Sequence, residues 1–327
     1  MNQNMIGTRR GASPTEVFMQ LITSEINYAN FGKCLKASYN NIEMIFTLDL
    51  GPRIISYTVD GGANALYEDT DRRFKNDDPF MAETFGKDSI WYIYGGHRLW
   101  ISPELDTTYY PDNDPVTYAV DGSTVTLTSP VQRVTNLQFS MAVTFAEGGK
   151  VDVLHTIHNR GNTAMTFAPW AITVLDGVGG TEIIPFNESR SPLLPNRYVT
   201  LWPYSDMQDS RVCWGTEFLT LRNDPSIAAP IKIGLDNRRG GAVYLNHGQM
   251  FIKRFDYVDG KNYPDNGCNF ETYTVDAFLE METLGPTESV APGSAVTHSE
   301  TWQLVPDVQF DAFTDETAMK ALIEQYL

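Results

Sequence analysis

Two glutamates in the run Ala277-Phe278-Leu279-Glu280-Met281-Glu282 are best placed, by type and spacing, for acid–base chemistry. Side chains alternate along a strand, so Phe278, Glu280 and Glu282 share one face while Leu279 and Met281 share the other. Two carboxylates so placed have Cβ atoms roughly 7 Å apart. On a concave sheet, like charges at that distance raise one pKa and separate an acid from a base. The same spacing equally suits a solvated glutamate face with Leu279 and Met281 turned inward, and it leaves both readings open.

A second set lies in Trp91-Tyr92-Ile93-Tyr94-Gly95-Gly96-His97-Arg98-Leu99-Trp100-Ile101-Ser102-Pro103-Glu104. Paired glycines let a backbone turn sharply or approach a ligand closely. His97 and Arg98 follow them among aromatics, whose faces suit the apolar side of a sugar ring while the polar groups serve its hydroxyls. Aromatic residues in such a run also serve as plain core. A third set is Phe251-Ile252-Lys253-Arg254-Phe255-Asp256-Tyr257, followed by Tyr263-Pro264-Asp265 and Asn269-Phe270-Glu271. Lys253 is a candidate either for a ligand oxygen or for one of the chain's many acids.

The remaining histidines are weaker candidates. His155 and His158 are three apart and fall on opposite strand faces, which is poor geometry for a shared metal. His298 alternates with Glu300 and Trp302, and His247 precedes a glycine at a turn. Cys34, Cys213 and Cys268 are too far apart for a local metal site and too few to pair completely. No phosphate-binding glycine loop or serine elbow is present, and no metal or cofactor is expected.

The elements that must position these residues read as strand after strand. Segments 42–48, 124–128, 138–145, 151–158, 230–235, 242–246, 249–257, 273–282 and 295–304 are rich in β-branched and aromatic residues. Asp121-Gly122 and Gly148-Gly149 mark tight hairpins between such runs. Helix is expected only near the ends: over about 14–22, after Ser13-Pro14-Thr15-Glu16, and over about 315–326, with Thr314 as cap and Met319, Leu322 and Ile323 as its apolar stripe. The chain reads as a single all-β domain over 1–327. Residues 1–20 form an N-terminal extension and 314–327 the C-terminal helix.

Composition narrows the partners. With 24 Lys and Arg against 41 Asp and Glu, the net charge is −17. That field disfavours nucleic acid and anionic membrane, both polyanions, and favours a neutral small molecule. A phosphorylated ligand would need a local basic pocket. No apolar leader or run of about 20 apolar residues is seen, so a soluble cytoplasmic protein is expected. The oligomeric state is not legible.

In their order along the chain, these stretches resemble the galactose-mutarotase-like (aldose 1-epimerase-like) superfamily, and more closely an uncharacterised bacterial branch of it. The resemblance spans about residues 25–305. It begins at Asp49-Leu50-Gly51-Pro52-Arg53-Ile54-Ile55-Ser56-Tyr57. It continues in Gly95-Gly96-His97-Arg98-Leu99-Trp100-Ile101-Ser102-Pro103-Glu104, which is similar to the segment opening the sugar site of hexose-phosphate mutarotases. It closes on Met281-Glu282-Thr283-Leu284-Gly285-Pro286 and Ala291-Pro292-Gly293-Ser294, which resemble the epimerases' Leu-Glu-Thr-Gln…Pro…Pro-Gly-Glu run.

The resemblance implies a large antiparallel β-supersandwich with short terminal helices and a sugar site on the concave face. It implies anomer interconversion without cofactor: Glu282 as base, a histidine as acid, and Glu280 in support. It departs in one place. The mutarotases keep a histidine on a mid-chain strand in a His-x-Tyr-Phe setting, whereas the counterpart here is Phe167-Ala168-Pro169-Trp170-Ala171-Ile172-Thr173. Either His97 takes the acid's role, or the site binds sugar without epimerising it.

The first expectation is therefore an epimerase with catalytic Glu282 and His97. Arg53, Arg98, Lys253, Asp265, Glu104 and Glu280 would contact substrate, and Trp91 and Trp100 would stack on it. The alternatives are a non-catalytic sugar-binding or sensing protein, and a glycoside hydrolase or lyase using Glu280 with Glu282 or Glu104 with Glu282.

Overall fold

The computed structural model describes residues 20–188, 191–310 and 313–327. The helix expected over 14–22 lies almost wholly outside them, and Ile22 opens a strand, Ile22–Asn27.

Alternation of apolar and polar residues builds the second of two large antiparallel sheets. Leu137–Phe145, Lys150–Asn159 and Ala295–Val305 bury every second residue, as strands with one wet face do. Asp121-Gly122 closes Thr117–Asp121 onto Thr124–Thr128, and Gly148-Gly149 closes Leu137–Phe145 onto Lys150–Asn159, as the turn residues predict. The sheet runs Val212–Trp214, Phe218–Arg222, Thr181–Pro185, Gly241–Asn246, Gln249–Phe255, Ala295–Val305, Lys150–Asn159, Leu137–Phe145, Thr124–Thr128, Thr117–Asp121.

The first sheet runs Ile22–Asn27, Lys33–Tyr39, Ile42–Thr47, Ile54–Val59, Gly96–Ser102, Met165–Asp176, Phe278–Leu284, Phe270–Thr274, Ile231–Leu235, Val199–Leu201. Its central strands Gly96–Ser102 and Phe278–Leu284 are buried along their whole length, because both faces are covered. One face packs on the second sheet: Phe46, Tyr57, Leu99, Ala171 and Met281 meet Val153, Phe251 and Trp302. The other carries a second apolar layer that includes Trp91, Trp100, Trp170, Ile172 and Phe278.

Three local expectations are corrected. The single strand expected over 273–282 is two, Phe270–Thr274 and Phe278–Leu284, joined by a turn and paired Tyr273 to Glu280. The paired glycines serve backbone crossing: a Cβ on Gly95 would lie 2.1 Å from the Tyr67 carbonyl oxygen, and one on Gly96 2.1 Å from that of Ile54. The C-terminal helix Glu316–Tyr326 is capped by Asp315, not Thr314, through the amides of Thr317 and Ala318. Among the described residues no helix is long and apolar enough to cross a membrane.

Candidate functional site

Cross-strand register lays the outer face of the first sheet out in rows. Val174, Glu280, Tyr273 and Lys232 lie side by side on neighbouring strands. The adjacent row is Arg98, Ile172, Glu282 and Glu271, and the next begins Trp100, Trp170, Leu284. Above these rows is a cleft of about 530 Å³ whose lining includes Trp91, Arg98, Trp100, Glu104, Trp170, Trp202, Tyr204, Lys232, Tyr273 and Glu280. That volume suits a monosaccharide-sized ligand. Trp91 and Trp100 have ring centroids 5.1 Å apart, and Trp100 meets Trp170 edge-on at 5.5 Å.

Arg98 lies across Trp100, its guanidinium carbon 4.5 Å from the ring centroid, and donates to Glu280 Oε1 at 3.2 Å. The other Glu280 oxygen has no hydrogen-bond partner among the described residues. Burial pushes this carboxyl up to about 7; Arg98 restrains the rise and neighbouring Glu282 adds to it. A carboxyl that titrates near neutrality and opens on an aromatic cleft can both accept and return a proton.

Lys232 forms the other pole. Its Nζ donates to Glu282 Oε2 at 2.9 Å and lies 2.8 Å from Glu271 Oε2, an ion contact without hydrogen-bond alignment. The ammonium sits 4.5 Å from the ring centroid of Trp170 and 4.6 Å from that of Trp202. Burial works against its charge, yet Glu282 and Glu271 hold it charged well above the usual lysine range. Burial pushes Glu271 well above the carboxylate range, against the restraint of Lys232. Glu282 is fully buried and also accepts from Trp170 Nε1 at 2.7 Å.

A separate polar network fills the space between the sheets, behind the cleft floor. Lys253 Nζ donates to Thr173 Oγ1 at 2.6 Å, to the Met281 carbonyl at 3.0 Å and to Glu300 Oε1 at 3.0 Å. His155 Nδ1 is 3.0 Å from the His298 carbonyl, so that nitrogen carries the proton. His155 Nε2 therefore accepts from His97 Nε2 at 2.7 Å, and His97 Nδ1 accepts from the Thr173 hydroxyl at 2.8 Å. Trp302 Nε1 donates to Glu300 Oε2 at 2.7 Å. Burial keeps His97, His155 and His298 neutral, His298 down to about 3. Lys253 holds Glu300 ionised, well below the usual range, against the cost of burial.

The ligand atoms of His97, His155 and Glu300 lie within 4.8 Å of one another, close enough for a metal. Both imidazoles, however, are committed at both nitrogens, and the Lys253 ammonium already balances Glu300. The network is complete as a hydrogen-bonded one.

The residues singled out in the sequence thus divide. Trp91, Arg98, Trp100, Glu104 and Glu280 line the cleft, and Glu282 is buried behind it, bonded to the lining residues Lys232 and Trp170. Glu104 is exposed at the rim and accepts from the Tyr109 hydroxyl. His97 and Lys253 do not share the cleft. His97 precedes Arg98 on one strand and so points to the opposite face, and Lys253 belongs to the second sheet and reaches inward. Arg53 is fully buried against Asp112, 2.8 Å away, and Asp265 accepts from Ser102 Oγ at 3.1 Å at the end of a strand. Neither lines the cleft.

Lys232, Trp202 and Tyr273 were not picked out, and Glu271 stood in the third stretch without an assigned role. A lone lysine within Ile231-Lys232-Ile233-Gly234-Leu235 was the available signal, since a buried strand keeps a cation only with a partner. A larger hollow of about 610 Å³ beside Asn187 is lined by Arg197, Arg238 and Arg239. Each guanidinium there is engaged: with the Thr216 carbonyl, with Asp236 and with Glu188 respectively.

No protein-family model matches the sequence, and no curated protein matches it. Solved structures do. A TPR-domain-containing protein from Parabacteroides distasonis is 14% identical with a TM-score of 0.58, over 87% of this chain and 48% of its own, so the chain spans about half of that protein. A galactose mutarotase-like protein from Clostridium acetobutylicum is 10% identical with a TM-score of 0.54, over 88% of this chain and 99% of its own. One from Lactobacillus casei is 10% identical with a TM-score of 0.51, over 83% and 99%. The chain has the galactose-mutarotase-like fold, as its motif order implied.

Proposed function

We propose that the cleft on the outer face of the first sheet binds a monosaccharide-sized sugar and interconverts its anomers, with Glu280 as the proton acceptor for the anomeric hydroxyl. The carrying observation is Glu280 itself. It lines the cleft beside Arg98, keeps one oxygen free of hydrogen-bond partners among the described residues, and has its carboxyl raised to about 7. Trp91 and Trp100 supply apolar faces for the ring, and the raised carboxyl supplies proton transfer without a metal or cofactor. The fold shared with galactose mutarotase-like proteins supports the same reading.

Glu282 takes a different part from the one its motif implied. Fully buried and tied to Lys232 and Trp170, it anchors the lysine and leaves proton transfer to Glu280.

The second reading, a sugar-binding protein without turnover, is favoured by one observation. None of the five histidines faces the cleft: His97, His155 and His298 lie between the sheets, His158 alternates with the inward residues of its strand, and His247 bonds Asp176 at the surface. Free aldoses screened by saturation-transfer and exchange NMR separate the two readings. Binding together with faster anomer exchange supports the first, binding alone the second, and no binding by any aldose contradicts both.

A further inference from the structure

The anomerase reading leaves half of the reaction without a group. A base removes the anomeric proton, but the ring oxygen must gain one as its bond to C1 breaks, and no histidine faces the cleft. We propose that Lys232 is that proton donor, held in place by Glu271 and Glu282; the proposal rests on the sugar-cleft reading of the same site.

Position supports it first. Lys232 and Glu280 stand in one cross-strand row with Tyr273 between them, so their backbones are about two strand spacings, or ~10 Å, apart. Both line the same cleft of about 530 Å³. Restraint supports it second. The ammonium is fixed by Glu282 at 2.9 Å and Glu271 at 2.8 Å, and lies between the Trp170 and Trp202 rings. Glu271 and Glu282 are directly opposite across paired strands, so the lysine is gripped from two strands at once. Lys232 is 4% exposed and lines the cleft.

The proton balance closes. The Glu280 carboxylate takes the proton from the anomeric hydroxyl. The bond between C1 and the ring oxygen breaks as the C1 carbonyl forms, and its electron pair goes to the ring oxygen, which takes a proton from Lys232 Nζ. The aldehyde turns about C1–C2. The former ring hydroxyl then attacks its other face, giving its proton back to Nζ while the new anomeric oxygen recovers the proton from Glu280. The ring oxygen becomes far more basic as its bond to C1 breaks, which draws the proton from Lys232 Nζ at that step. Those same carboxylates deny the nitrogen the lone pair needed to form an imine with the open-chain aldehyde.

The test uses three variants of the whole chain. Lys232→Arg keeps the charge and the donors but cannot release a proton. Lys232→Gln with Glu282→Gln removes the ammonium together with the carboxyl that accepts its hydrogen bond, so no unpaired charge is left in the floor. Glu280→Gln removes the base. The expected result is that the first two bind the sugar with KM within about threefold of wild type, while kcat falls about 10²–10⁴-fold. A purely structural lysine would be rescued by arginine, so kcat within threefold of wild type in Lys232→Arg overturns the proposal. Loss of exchange in Glu280→Gln alone leaves the sugar reading standing and removes Lys232 from it. A wild-type protein that exchanges no anomers overturns both.

Discussion

Replacing Lys253 by methionine strips the centre of the inter-sheet network. The ammonium makes three hydrogen bonds, to Thr173 Oγ1, the Met281 carbonyl and Glu300 Oε1, and both members of its ion pair have no exposed side-chain surface. Removing one partner of a fully buried pair leaves an uncompensated charge and costs about 3–5 kcal/mol. At ~2 cal/mol/K of unfolding entropy per residue, a chain of this length should lose about 4–7 °C in Tm.

The loss must also depend on pH. In the wild type, Lys253 keeps the folded-state pKa of Glu300 below its unfolded value, so that contribution is present above about pH 4.5 and disappears only as pH falls through the depressed value. In the variant, burial alone raises the same carboxyl, so stability is lost as pH rises. The gap between the two proteins therefore widens from pH 5 to pH 8, by up to about 1.4 kcal/mol per pH unit. Chemical denaturation at those two pH values measures it, and Lys253→Met combined with Glu300→Gln should recover most of the loss. A Tm change below 1 °C, or a gap that does not move with pH, refutes the reasoning.

Three further outcomes follow from the same geometry. His97, His155 and His298 are held neutral, so their folded-state pKa values lie below the unfolded one; stability should fall below about pH 6.5 by up to ~1.4 kcal/mol per pH unit for each, read from Tm between pH 5 and 7. Trp100→Ala removes the ring on which Arg98 rests and one wall of the cleft, and should weaken sugar affinity about tenfold by calorimetry while costing stability as well. Gly96→Ala places a Cβ 2.1 Å from the Ile54 carbonyl oxygen at a φ of +66°, and should destabilise by several kcal/mol or abolish soluble expression.

What the sequence disclosed follows from how wet each strand is. Leu137–Phe145, Lys150–Asn159 and Ala295–Val305 each keep one solvated face, so alternation gave their limits to within about a residue. Gly96–Ser102 is buried on both faces, its period-two signal is gone, and His97 and Arg98 read as one cluster although they serve opposite sides of the sheet. The shared face of Glu280 and Glu282 was legible from spacing alone. Their unequal roles were not, because they depend on Lys232 and Arg98, which reach them from other strands by a register that no local pattern encodes. Lys253 and Glu300 pair across the sheet for the same reason.

The most direct test of the central claim is exchange NMR between the α and β anomers of a bound aldose, comparing the wild type with Glu280→Gln across pH 6–8. The account predicts that the wild type accelerates exchange and that its rate rises with pH through a midpoint near 7, as the Glu280 carboxyl ionises. The variant should bind the sugar within about threefold of wild type yet lose the acceleration by about 10²–10⁴-fold. A variant that exchanges anomers as fast as the wild type, or a wild-type rate flat across that pH range, would contradict it.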